Sequence, residues 1–405
     1  MKTNFDEVVE RRHTNCMNTD GFRSYIFHAD KTMKFPWEDD EFVRMWVADM
    51  EFATAPCVVE AIKQRADQRI FGYTKVFDAE YYRAFAAWCD RLYDWHCKEG
   101  DLVTSNGIIP ALYELVSYLT KPDEKVLINT PAYAYFKHAG DFNGRETVCS
   151  DLKNDEGYYT IDFDDFARKA ADPKVTLFFL CNPHNPSGRV WSREELLRVF
   201  KICRDNHVFI VSDEIHCDLL RCGVRHTPMA KVIAAVDPAF DRIVTCMAPS
   251  KTFNLAGLMI SNIVIPNAEL RKIWDERHYS FDNPLSIAAA QAAYTDGAEW
   301  HQELREYLDG NFKFTKEYLI SHLPKAVFRI PEATYLAWVD VAAYVKPDTQ
   351  LPLFFANKAG VLLAGGNMFV QNSDTDIRLN LAMPRKMLAV GLDRICRVLN
   401  GEKLR

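Results

Sequence analysis

An α/β chain built on a mainly parallel sheet follows from three features of the sequence. Short apolar runs alternate with amphipathic stretches from about Asp101 to Pro266, and each apolar run empties into polar or small residues. With 405 residues, 48% of them hydrophobic, the chain can bury a large core, usually divided between two domains at this length.

The first strand is Leu102 to Thr104, and the glycine turn after it feeds a helix running to about Leu119. Further strands are expected at Val126 to Ile128, Val175 to Leu180, Val208 to Val211 and Ile243 to Met247. Glu194 to Asn206 has helical spacing between two of them. Asn283 and Pro284 pair a capping side chain with a first-turn proline, opening helical sequence that Gly297 interrupts and that resumes from about Glu299 to His322. Strands at Thr334 to Val341 and Ile377 to Ala382, with a helix near Arg385 to Leu399, predict a smaller α/β layer joined by the N-terminal arm. No repeat or low-complexity tract interrupts this plan.

A formal net charge of -7 without a long basic run leaves no electrostatic footprint for nucleic acid or an anionic membrane. The polar start and the lack of any apolar run near the ~20 residues that span a bilayer predict a cytoplasmic protein. Eleven scattered cysteines without a CxxC pair fit reduced thiols, and no metal site is expected.

Lys251 stands just beyond the carboxyl end of the predicted strand Ile243 to Met247, where open α/β sheets place their ligands. A desolvated amine there can attack a carbonyl and form an imine, which suits a cofactor aldehyde such as pyridoxal phosphate. A lone lysine in such a turn is ordinarily solvated; its company gives it meaning. Gly107, Ile108 and Ile109 open a helix whose free amides suit a phosphate. Tyr133 follows the second strand and can stack on a planar ring. Cys181 to Gly188 places Asn182 and Asn185 after the third, and Ser212 to His216 places Asp213 and His216 after the fourth. A carboxylate at that depth calls for a cationic partner, and a protonated pyridine nitrogen is one.

Other motifs carry less. Asp213-Glu214-Ile215-His216 also fits a helicase-type acidic box, but no GxxxxGK[ST] phosphate loop accompanies it. Ser150-Asp151-Leu152-Lys153 fits SxxK without the companion KTG and SDN motifs.

Taken together, Trp46 to Phe52, Phe71 to Thr74, Asn182 to Gly188, Asp213 to His216, Ala248 to Leu258, Glu332 to Trp338 and Arg378 to Asn380 make the chain resemble the fold-type I pyridoxal-phosphate enzymes of the class I/II aminotransferase group. Within that group it is most similar to the MalY/PatB branch of cystathionine β-lyases. The resemblance implies a large domain, residues 46–285, with a mainly parallel sheet of the seven-stranded type. It implies a smaller α/β domain from residues 1–45 and 286–405.

The resemblance also implies roles. Lys251 would carry the cofactor as an imine and later move the Cα proton, while Asp213 would keep the pyridine nitrogen protonated. Tyr133 would stack on the ring, and Asn185 with His216 would face its phenolate oxygen. Gly107, Ile108, Ile109 and Ser250 would hold the phosphate. Tyr73 would reach a neighbouring subunit's phosphate, making a homodimer with shared active sites, and Arg378 would clamp the carboxylate of an amino-acid substrate. Met259 stands where many class I aminotransferases carry a phosphate-binding arginine, and the loop Ala364 to Phe369 departs from the branch's usual pattern. The implied reaction is β-elimination from cystathionine, cysteine or another S-substituted cysteine. Transamination uses the same residues, and a non-catalytic binding protein on the same fold is the remaining alternative.

Overall fold

The computed structural model describes residues 3–346, 348–371 and 373–405, so Met1 and Lys2 of the expected N-terminal arm lie outside the described residues. Its large sheet has eight strands in the spatial order Leu102–Ser105, Ser261–Val264, Ile243–Met247, Phe209–Asp213, Val175–Cys181, Lys125–Thr130, Glu146–Asp155 and Tyr158–Ile161. The five from Ile243–Met247 to Glu146–Asp155 run parallel, whereas Ser261–Val264 is antiparallel to both neighbours. Strands buried on both faces read as continuous apolar runs, which is why Ile243–Met247 and Phe209–Asp213 stand out in the sequence.

Three strands do not read that way. Ser261–Val264 is short and opens on polar Ser261 and Asn262. Glu146–Asp155 lies near the sheet edge, with polar side chains facing out, so it never forms an apolar run. Tyr158–Ile161 returns against it through Glu156 and Gly157, both in the left-handed region (φ 47° and 84°), as a two-residue hairpin requires. That return strand makes the sheet eight-stranded rather than seven.

The smaller sheet has the order Val43–Met45, Val361–Gly365, Asp376–Asn380 and Leu336–Asp340. The N-terminal strand joins it in parallel and the other pairings are antiparallel. The strand expected from Thr334 begins at Leu336, because Thr334 has φ 71° and cannot lie in a regular strand. The strand expected at Ile377 to Ala382 is Asp376–Asn380, with Ala382 beyond its end. Helices Pro284–Asp296 and Ala298–His322 lie either side of Gly297, and Arg385–Leu399 closes the chain.

Register sets the functional edge. Cys181, Asp213 and Cys246 are level across three parallel strands, so the loops after them emerge side by side. The loop from Asn182 is locked to the smaller layer at Gly188, whose carbonyl accepts the Ala333 amide at 3.0 Å. Gly188 has φ 68°, and a Cβ there would fall 2.3 Å from Pro331 Cβ. Gly188→Ala is therefore expected to cost about 1–3 kcal/mol of stability. Denaturant melts of the two proteins check this, and equal midpoints would refute the packing described.

Candidate active site

The loops meet at one cavity of about 1410 Å³, lined by Gly107, Ile108, Ile109, Tyr133, Asn185, Asp213, His216, Ser250, Lys251 and Arg378. All the sequence-predicted site residues except Tyr73 are thus brought together. Tyr73 is 91% exposed, is not among the residues that line the cavity, and packs against Phe281 with ring centroids 4.9 Å apart.

Lys251 sits in the helical turn Pro249–Thr252 directly after the strand Ile243–Met247. Burial pushes its amine down to about 8, while Asp49 and Asp213 pull the other way. Its Nζ donates to the Ala48 carbonyl at 2.7 Å. Asp213 ends its strand in full burial, which pushes its carboxyl up to about 7; the Ile215 amide, donating at 3.1 Å, and the Lys251 charge oppose that rise. Among the described residues no cation forms an ion pair with it. A buried carboxylate left this way favours a cationic group placed in the cavity.

Burial drives His216 down to about 3, so its imidazole is neutral, and among the described residues its Nδ1 has no hydrogen-bond partner. Gly107 has φ 112° and precedes the helix Ile108–Leu119, whose first-turn amides lack intrahelical acceptors and open onto the cavity. Met259 lies beside that turn, its Cε 3.4 Å from where a Gly107 Cβ would stand. A phosphate held here would rest on amides and the Ser250 hydroxyl rather than on a guanidinium.

Arg378 is buried beneath the cavity. It donates from Nη1 to Asn185 Oδ1 at 3.2 Å and from Nη2 to the Trp46 carbonyl at 3.0 Å, while its Nε has no partner among the described residues. Asn185 therefore spends its oxygen on Arg378 and keeps its amide N–H groups for a cavity acceptor. The loop Ala364 to Phe369 is fixed to the same wall, since Phe369 pairs with Tyr133 and lies under the Arg378 guanidinium, 5.0 Å from ring centroid to Cζ.

These groups suit pyridoxal phosphate: an amine of lowered basicity, an unpaired buried carboxylate, a helix N-terminus and an aromatic ring share one cavity. Three contributors carry no sequence signal of their own. The Ala48 carbonyl is backbone, and Tyr25 and Tyr135, which line the cavity with hydroxyls 3.4 Å apart, look like any packing tyrosines. The segment Trp46 to Phe52 was legible only as a matching motif. In the fold, Asn380 donates to the carbonyls of Val47 and Asp49, Asn254 receives the Met50 amide at 2.9 Å, and Arg11 of the arm pairs with Asp49 and Glu51.

The model for aminotransferase class I and II matches residues 41–395. The chain is 39% identical to the cystathionine β-lyase PatB of Bacillus subtilis over 396 residues, 97% of this chain and 98% of that protein. It superposes on the PLP-bound C-S lyase of Staphylococcus hominis with a TM-score of 0.95 and 46% identity, covering 98% of each chain. It superposes on cystalysin of Treponema denticola, which contains pyridoxal 5'-phosphate, with a TM-score of 0.91 and 29% identity, covering 99% of this chain and all of that one. The chain belongs to the aminotransferase class I and II family.

Proposed function

We propose that the protein is a pyridoxal-phosphate-dependent carbon-sulfur β-lyase that splits an S-substituted cysteine, with water, into a thiol, pyruvate and ammonia. The observation that carries it is Lys251, a desolvated amine at the carboxyl edge of the sheet, in one cavity with Asp213 and Arg378. The likeness to PatB and to the Staphylococcus hominis lyase supports elimination over transamination.

When bound, pyridoxal phosphate supplies an electron-withdrawing ring that stabilises negative charge at the substrate's Cα. The chain's own residues do the rest. The first-turn amides of Ile108–Leu119, with Gly107 and Ser250, would hold the phosphate, and Tyr133 would stack on the ring. Asp213 would keep the pyridine nitrogen protonated, and Asn185 and His216 would donate to the ring's phenolate oxygen. Arg378 orients the substrate carboxylate, and Lys251, once released, takes the Cα proton; an amine at about 8 is partly neutral near pH 7 and fit for that transfer.

We infer a homodimer in which Tyr73 serves the neighbouring subunit's site. Ile70, Phe71, Tyr73, Phe77 and Tyr279 are all largely exposed, an apolar group that a second copy would cover. Residues 46–285 are taken as the large domain and the remainder as the smaller one, supported by the separate sheets within each range. Among the described residues no helix is long and apolar enough to cross a membrane, and eleven unpaired thiols favour the reducing cytoplasm.

With cystathionine added, the cofactor-loaded protein should release pyruvate and thiol in equal amounts, and the Lys251→Ala protein should release neither. Keto-acid formation that requires an added acceptor would replace the reading with an aminotransferase. Capture of pyridoxal phosphate by the cofactor-free protein needs the neutral amine, so its rate should rise about tenfold between pH 7 and pH 9. A rate still climbing as for an ordinary lysine near 10.5 would contradict the desolvated site.

Asp213→Asn is expected to cut turnover by about 100-fold or more, yet to stabilise the cofactor-free protein. The wild-type carboxyl, raised to about 7, binds its proton more tightly folded than unfolded. Its destabilising effect is absent below about pH 4 and grows as pH rises to 7. Melting temperatures of the two proteins should differ far more at pH 8 than at pH 4.5.

A further inference from the structure

The Ala48 carbonyl accepts two hydrogen bonds. Lys251 Nζ donates at 2.7 Å and the Tyr335 hydroxyl at 2.8 Å, filling both lone pairs. Tyr335 is fully buried and lies behind the cavity wall, not on it. Its backbone is fixed from both sides: its carbonyl accepts the Leu381 amide at 2.9 Å, and Thr334 before it is held at φ 71°. A β-branched residue in that region is strained and persists only where its surroundings enforce it. Here Arg221 grips the Thr334 carbonyl at 2.6 Å and the Thr334 hydroxyl accepts the Leu336 amide at 3.0 Å. From this fixed backbone the phenol reaches the Ala48 carbonyl.

We propose that Tyr335 is a positioning residue for Lys251: it keeps the Ala48 carbonyl satisfied when the amine leaves to join the cofactor, and so lowers the cost of that departure. The proposal rests on the cofactor reading above. In the cofactor-free protein the amine rests on Ala48. Once the lysine nitrogen condenses with the cofactor's aldehyde, releasing water, it no longer donates there, and a cofactor seated in the cavity that Ala48 lines would displace water from beside it. Without the phenol, the carbonyl would be orphaned and would hold the amine back. The charged groups around the amine are Asp49, Asp213 and Arg378, and those around the phenol are Asp49 and Arg378, with His216 the neutral ring beside it at 6.5 Å. A Tyr335→Phe change leaves all of them in place.

The test compares two ligands. Pyridoxal phosphate can condense with Lys251; pyridoxamine phosphate fills the same space but has no aldehyde. Tyr335→Phe is expected to weaken equilibrium binding of pyridoxal phosphate about three- to tenfold and to leave pyridoxamine phosphate unchanged. In a Lys251→Ala background the same change should affect neither ligand. Tyr335→Leu serves if the phenylalanine protein does not fold. Equal weakening of both ligands, or an unchanged ratio, overturns the proposal while the cofactor reading stands. If the unaltered protein takes up neither ligand, the reading beneath falls and the proposal with it.

Discussion

Two opposite charges buried in one cavity without an ion pair between them, Lys251 and Asp213, are the constraint around which the molecule is arranged. Neither environment favours its charge: burial lowers the lysine and raises the aspartate. The fold sustains this because Asp213 ends one fully buried parallel strand, Lys251 stands in the turn just past the end of the next, and the register levels Asp213 with Cys246, so the two groups face one cavity. Such an arrangement opposes stability and is retained where function needs it.

The second element of the design is that the smaller layer supplies the site's floor. Arg378 and Asn380 come from one of its central strands, and Tyr335 from the residue before its edge strand Leu336–Asp340. All three reach the same segment, Trp46 to Asp49, from below: Arg378 bonds the Trp46 carbonyl, Asn380 those of Val47 and Asp49, and Tyr335 that of Ala48. Four successive carbonyls are thereby aimed by side chains of one sheet. The arm adds Arg11, whose pairing with Asp49 tempers the negative charge nearest the lysine. The basicity of Lys251 is therefore a property of three regions distant in sequence.

That distance explains what could be read in advance. Strands covered on both faces were legible as apolar runs, and the polar residues after them announced Asp213, Asn185 and Lys251, because a polar group at a buried strand end needs a reason. Glu146–Asp155 was not legible, since a strand next to the sheet edge carries polar side chains that mask the pattern. Nor was Thr334: a threonine in the left-handed region has no local signature, and only the Arg221 and Leu336 contacts explain it. The Ala48 carbonyl was invisible for the plainest reason, that every residue has one, and its role comes from what converges on it.

Tyr73 shows the converse. Its motif was legible, but a single chain leaves the ring in solvent against Phe281. An aromatic surrounded by other exposed apolar side chains is costly to leave wet. Beside Gly107 the cavity presents the Met259 side chain, where the family resemblance would place a phosphate-binding arginine. Amides and a serine hydroxyl hold a dianion less firmly than they would with a guanidinium. A donor supplied by a second subunit would meet both demands at once, covering the exposed rings and completing the phosphate's shell, so cofactor retention and assembly would be coupled in this chain more tightly than where an arginine stands in the place of Met259.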